Sequence, residues 1–303
     1  MKKTLLALLC LLLILPACKE NVTDEKIDVV ATFYPLAYFA QRVGGMHANV
    51  NNLVPTGGEP HDFEPSPRQI VEVTEADMAL YLGEGFEPWM QDLESELEAK
   101  GVVALAVNQK LPLVEGKGEH EEGIYDPHTW LDPLLAQEIV TLIAKGFIQA
   151  DPENETVYLA NAEALLRELQ ALHQTYQSVL HTCTENTILT SHNAFTYLAE
   201  RYDIQTLSVA GLSPEEEPSA DRLAQLADFA KAEQSKYIFF ETLATPDVAK
   251  TLADEASLTP LLFNPIEGLT LEEAAAGENY FTLMQSNLSN LKLALICTDS
   301  SPL

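Results

Sequence analysis

The chain has 303 residues, with 46 aspartates and glutamates against 17 lysines and arginines, for a formal net charge of −29 at neutral pH. A surface of that sign repels phosphate backbones, which excludes nucleic acid as a partner, and it concentrates cations instead. Hydrophobic residues make up 47% of the sequence, too many for a disordered acidic chain and enough for a packed core.

In chain order, Lys2 and Lys3 precede an apolar run over residues 5–15, followed by Leu15-Pro16-Ala17-Cys18. This pattern is a signal peptide, its apolar stretch too short for a comfortable transmembrane helix. Residues 1–18 are assigned to it, with Cys18 resembling the lipid-accepting cysteine of a bacterial lipobox; the alternative is secretion without an anchor. Loss of Lys2 and Lys3 with this leader deepens the charge to −31. Residues 19–27 form a polar tether. No second apolar stretch of spanning length follows, so the mature part is expected as an exported domain, held at a membrane by its lipid or free in the periplasm.

Residues 28–33 read as a buried strand, and Tyr34-Pro35 opens a helix with Leu36, Phe39, Ala40 and Val43 on one face. Further strands are expected at 49–54, 78–82 and 102–107, with helices starting at Pro67 and spanning 86–100. Alternation of strand and helix predicts a parallel sheet covered on both faces. A Gly- and Glu-rich loop over 111–125 interrupts the pattern. Helices over 133–150 and 153–181 follow, broken at Asp151-Pro152, the second carrying Val157, Leu165, Leu169, Leu172, Tyr176 and Leu180 at helical spacing. Strands at 187–190, 205–209, 237–240 and 261–263 then alternate with helices near 194–201, 219–232, 247–255 and 278–295. The reading is α/β: two doubly wound lobes, at 28–152 and 183–303, joined by one long rigid helix at 153–182, with a cleft between them. Internal sequence repetition is not evident.

Three histidines stand in turn-flanked segments: His61 after Gly57-Gly58-Glu59-Pro60, His128 between Pro127 and Trp130, and His192 directly after the apolar strand ending at Thr190. Glu267, between Pro265 and Gly268, is a fourth candidate, with Glu59 as the competing carboxylate; Glu241 and Asp126 are weaker ones. Near-even gaps along the chain require distant loops to converge in a cleft, whereas a zinc finger keeps its ligands within a few dozen residues. Imidazoles with one carboxylate suit a borderline cation such as Zn²⁺. Asp62, Asp126 and Asp132 are near enough in sequence to receive the second ring N–H of a bound imidazole. His47, His173 and His181 read as solvated surface residues. His120, in Glu119-His120-Glu121-Glu122, reads as part of an acidic loop that captures zinc weakly at best. Cys183 and Cys297 are either a disulfide or two buried thiols, and neither belongs to a CxxC pair.

The segments Gly58-Glu59-Pro60-His61-Asp62-Phe63-Glu64-Pro65-Ser66, Asp126-Pro127-His128-Thr129-Trp130-Leu131-Asp132-Pro133, Ser191-His192-Asn193-Ala194-Phe195 and Phe240-Glu241-Thr242-Leu243 resemble the zinc/manganese class of solute-binding lipoproteins of bacterial ABC transporters. The resemblance covers about residues 29–295. It implies two α/β lobes bridged by a long helix, with His61 and His128 as ligands from the first lobe and His192 and Glu267 from the second. Zinc-specific members tend to carry histidine where manganese members carry glutamate, so His192 points to zinc. The long His-rich loop of many zinc members is here short and holds only His120. The implied role is a monomeric, non-enzymatic receptor that hands Zn²⁺ to a membrane permease and its ATPase; no phosphate-binding loop G-x-x-x-x-G-K-S/T occurs in this chain. The alternatives are a manganese receptor, a zinc hydrolase using Glu59 or Glu267 as general base, and an adhesin stabilised by zinc. No H-E-x-x-H supports the hydrolase, and no adhesive repeat supports the adhesin.

Overall fold

The computed structural model describes residues 26–116, 123–243 and 247–298. The signal peptide, Cys18, most of the tether and His120 lie outside the described residues. Among the described residues no helix is long and apolar enough to cross a membrane.

The first lobe holds strands β1 (Ile27–Ala31), β2 (Ala48–Asn52), β3 (Met78–Tyr81) and β4 (Val103–Ala106), all parallel and ordered β2-β1-β3-β4. Helices α1 (Tyr34–Gly44), α2 (Pro67–Glu75), α3 (Pro88–Gln91) and α4 (Glu94–Lys100) connect them. Ser66 and Gln69 close α2 with a capping box, and Pro67 sits at its start. The single helix expected over 86–100 is two short helices. Glu87, the residue before α3, turns its buried carboxylate back to accept from the Leu82 and Gly83 amides, and the chain turns again at Asp92 and Leu93 before α4.

Helix α5 (Pro133–Ala150) starts at Asp132, whose side chain accepts from the Leu134 amide, and ends at Asp151-Pro152. The long helix α6 (Glu155–Leu180) follows. Its buried stripe is Tyr158, Ala162, Leu165, Leu169, Leu172, Tyr176 and Leu180. Val157, placed in that stripe by spacing, is 36% exposed, because Tyr158 one position on takes the inward direction. Each buried leucine contributes about 1.5–3 kcal/mol over an exposed one.

The second lobe repeats the first. Strands β5 (Thr187–Thr190), β6 (Gln205–Ser208), β7 (Tyr237–Phe240) and β8 (Thr259–Leu262) are parallel in the order β6-β5-β7-β8. Helices α7 (Thr196–Tyr202), α8 (Ala220–Ala232), α9 (Asp247–Ala256), α10 (Leu271–Ala276) and α11 (Tyr280–Ala294) complete it. Both faces of each sheet are covered by apolar packing. One apolar cluster is shared by both lobes, running from Val29 and Phe33 through Phe147, Leu165 and Tyr176 to Ile188, Phe263 and Leu291. A continuous core resists shear, so the lobes and α6 form one stiff body. Cys183, just past α6, is disulfide-bonded to Cys297, just past α11, across a sequence separation of 114.

Candidate metal centre

The four candidate side chains come from loops at the C-terminal ends of parallel strands, where open α/β sheets place ligands. His61 lies between β2 and α2, His128 between β4 and α5, His192 between β5 and α7, and Glu267 between β8 and α10. One ligand atom from each can be chosen so that all four lie within 4.8 Å of one another. Glu267 Oε1 is 3.2 Å from His61 Nε2, 3.2 Å from His128 Nε2 and 3.5 Å from His192 Nε2. The His128 and His192 Nε2 atoms are 3.4 Å apart. His128, His192 and Glu267 are buried, and the His61 side chain is 9% exposed. Glu59 lies outside this four-atom cluster. One of its oxygens accepts from the Asp62 amide and the other is buried without a hydrogen-bond partner.

Two further carboxylates set the imidazoles. Asp126 Oδ1 meets His128 Nδ1 at 2.9 Å and the His128 amide at 2.9 Å. Glu241, at the end of β7, meets His192 Nδ1 at 2.5 Å and also receives the Ser191 hydroxyl. With Nδ1–H donated outward, each Nε2 faces the cluster, and on losing its own proton it offers the lone pair a metal ligand needs. Asp126 thus has a role its sequence position suggested, while Glu241 was read there only as a weak competing ligand. The signal was available in the strand-end pair Phe240-Glu241, but its contact with His192 is made across neighbouring strands. Asp132 caps α5 and pairs with Arg201, and Asp62 is exposed. His173 is no plain surface residue either: it stacks on Tyr202 and shares a 3.1 Å hydrogen bond with its hydroxyl.

The backbone at Glu267 is itself constrained. Ile266 has φ +60, a left-handed conformation that is costly for a β-branched residue, on the order of 1–3 kcal/mol. Its amide donates to Asn264 Oδ1, while Asn264 exchanges backbone hydrogen bonds with the buried Asn287 side chain. That network holds the turn which aims Glu267 at the imidazoles. Gly57, at φ +85, donates its amide to the Leu269 carbonyl across the cleft, and a side chain at Gly268 would press on Leu243 and the Gly58 carbonyl.

Electrostatics follow from the burial. Desolvation opposes charge on Glu267, yet His61, His128 and His192 around it hold its carboxyl well below the usual range. Burial also disfavours the His192 imidazolium, but Glu241 and Glu267 outweigh it and push the ring up to about 10. His128 is raised as well, by Asp126 and Glu267 against its desolvation. Three carboxylates about three imidazoles make a buried site that demands positive charge, supplied by protons or by a divalent cation. Three nitrogens and one oxygen in a closed shell match the preferences of Zn²⁺, whereas Mn²⁺ favours more oxygen.

Residues 29–294 match the family model described as zinc-uptake complex component A, periplasmic. The chain is 36% identical over 298 residues to the zinc-binding lipoprotein AdcA of Streptococcus pneumoniae, an alignment covering 95% of this chain and 60% of that protein. It thus spans about 60% of the length of the streptococcal relatives it matches. It is 34% identical over 304 residues to the high-affinity zinc uptake system protein ZnuA of Bacillus subtilis, covering 95% of both. Among solved structures, the Zn(II)-bound ZnuA-like domain of Streptococcus pneumoniae AdcA superposes with a TM-score of 0.79 at 36% identity, over 89% of this chain and 99% of that one.

Proposed function

The chain belongs to the family of zinc-uptake complex component A, and on that premise we propose that it is an extracytoplasmic receptor capturing Zn²⁺ for an ABC permease. The observation that carries the reading is the convergence of His61, His128, His192 and Glu267, two from each lobe, with ligand atoms within 4.8 Å of one another. His61, His128 and His192 bind through Nε2, and Glu267 supplies the single negative charge among the ligands. Asp126 and Glu241 orient two of the rings and complete the compensation of the cation. The protein's work is reversible capture, with no reaction at the metal, since four protein ligands leave a tetrahedral ion no open position for an activated water. The loaded receptor docks to a membrane permease powered by a separate ATPase, and Cys18 carries the lipid that keeps it at the membrane.

The test is chelator-competition titration of the exported protein with Zn²⁺ and Mn²⁺, on wild type and Glu267→Ala. Removing the one carboxylate among the four proposed ligands costs about 3–5 kcal/mol, or roughly two to four orders of magnitude in Kd. One tight zinc equivalent, weakened by that much and not displaced by excess manganese, is the expected result. Zinc binding indifferent to Glu267→Ala, or a preference for manganese, overturns the assignment.

A further inference from the structure

The segment bearing His128 belongs to the first lobe, yet its two ends are gripped by one short helix of the second. Tyr197 and Arg201 are four residues apart on α7 and share a face. The buried Tyr197 hydroxyl donates to the Asp126 carbonyl at 2.8 Å and accepts from the Val114 amide at 3.1 Å. Arg201 Nε and Nη2 donate to Asp132 Oδ2 at 2.9 and 2.7 Å, while Asp132 Oδ1 caps α5. His128 sits between these two anchors. The loop that leads into α7 is the one carrying His192. One helix therefore has a metal-site imidazole at its entry and the platform of a second imidazole along its face.

We infer that Tyr197 and Arg201 are positioning residues, fixing the His128 segment against the His192 loop across the lobe boundary before any cation arrives. The inference rests on the reading of His128 and His192 as zinc ligands. Neither residue touches the cluster itself. Their effect is on the fraction of empty protein in which His128 already stands in place, and the apparent Kd scales inversely with that fraction. A merely structural pair would stabilise both states equally and leave the affinity alone.

The experiment is zinc competition on Tyr197→Phe, alone and in His128→Ala and His61→Ala backgrounds, with the visible spectrum of the Co²⁺-loaded protein as a second readout. Tyr197→Phe keeps the ring and removes only the hydroxyl. The expected loss is about tenfold, the lower end of what residues supporting a ligand contribute, with an altered cobalt band. The loss should persist beside His61→Ala and fall below about twofold beside His128→Ala, because the platform no longer carries a ligand. An equal loss in both backgrounds, or an unchanged Kd and cobalt spectrum in the single variant, overturns the inference. If His128→Ala binds zinc like wild type, the ligand assignment falls and takes the inference with it. Loss in His128→Ala without effect of Tyr197→Phe removes the inference alone. Should far-ultraviolet circular dichroism show Tyr197→Phe unfolded, Arg201→Gln and Arg201→Lys carry the same comparison at the more exposed anchor. Arg201→Lys, which keeps a donor for Asp132, should recover most of the affinity that Arg201→Gln loses; equal affinities in the two overturn the inference.

Discussion

Two segments of the first lobe each bring one imidazole to the cleft, and they are held in very different ways. The segment 126–132 is fastened to its own lobe through Asn108, and to the other through Tyr197, Arg201, Tyr280 and the Trp130 indole, which donates to the Pro265 carbonyl. Among the described residues, the loop 57–61 reaches across by one backbone bond, from Gly57 to Leu269, and by His61 Nε2 on Glu267; its remaining turn bonds are local. His128 has a carboxylate on its outer nitrogen; His61 has no such hydrogen-bond partner among the described residues, and rests instead on the Phe86 ring, with centroids 5.0 Å apart. Both lobes share one apolar core. On the proposed ligand set, the difference teaches that a cation can be admitted where three side chains are fixed and one is lightly held.

The largest effect that would sharpen this contrast is the response to pH. His192 is raised to about 10, so its ring keeps a proton in the empty site at neutral pH that zinc must displace, and His128 is raised as well. The sign follows. A raised folded-state value stabilises the empty protein fully below the ordinary histidine value near 6.5, and that stability is lost as pH rises through about 10. Glu267 acts oppositely, its contribution present above the usual carboxylate value and lost as pH falls through its depressed one. Zinc affinity should therefore weaken about tenfold per pH unit for each displaced proton between pH 9 and 6, and the rise in Tm caused by zinc should shrink over the same interval. His61→Ala should lower affinity yet keep the slope, because the proton on His192 must still be displaced in that variant. A slope that vanishes in His61→Ala would break the comparison.

Next in size are the carboxylates behind the rings. Asp126→Ala and Glu241→Ala each remove the acceptor that fixes a tautomer, and each should weaken zinc by about 10- to 100-fold. Asp126→Asn, which keeps an acceptor oxygen but loses the charge, should fall nearer tenfold. Chelator competition measures all three. Equal tolerance of Asp126→Ala and of Asp62→Ala, an exposed residue beside His61, would show that the supposed support of His128 contributes nothing.

Much of this arrangement was legible from residue patterns, and what was not has a common cause. The central strands β1, β3, β5 and β7 are short, largely apolar runs, and each of the three cleft histidines follows a strand or a proline, so local order alone points to both. The matching order of the two sheets was invisible, since parallel sheets need only apolar runs and the lobes share no evident sequence. The lobes also use their matching strands differently: the cleft side chains follow the two edge strands β2 and β4 in one, and the inner β5 and the edge β8 in the other. The late helix start at Pro88 goes with the buried Glu87 accepting from Leu82 and Gly83, the role of Glu241 with the β5–β7 pairing, and the Cys183–Cys297 bond with two helix ends meeting. All three are contacts between residues remote in sequence or turned against local propensity, which periodicity does not encode.

The smallest effect is the most direct probe of the lightly held ligand. Phe86 packs edge-on against the His61 ring and is itself set by Glu87, whose buried carboxylate accepts from Thr32 and from the Leu82 and Gly83 amides. Burial pushes that carboxyl up to about 7, against the pull of those donors, so the anchor of Phe86 is a group whose charge is costly to keep. Phe86→Leu preserves apolar volume but removes the ring contact, worth about 0.5–1.5 kcal/mol, which converts to about two- to tenfold in affinity. Because His61 has no carboxylate fixing its outer nitrogen, the lost contact should appear as faster zinc release rather than slower capture, read by stopped-flow transfer to a chelator. A loss equal to that of Asp126→Ala would mean that His61 is fixed as firmly as His128, and the division into three held ligands and one loose one would fail.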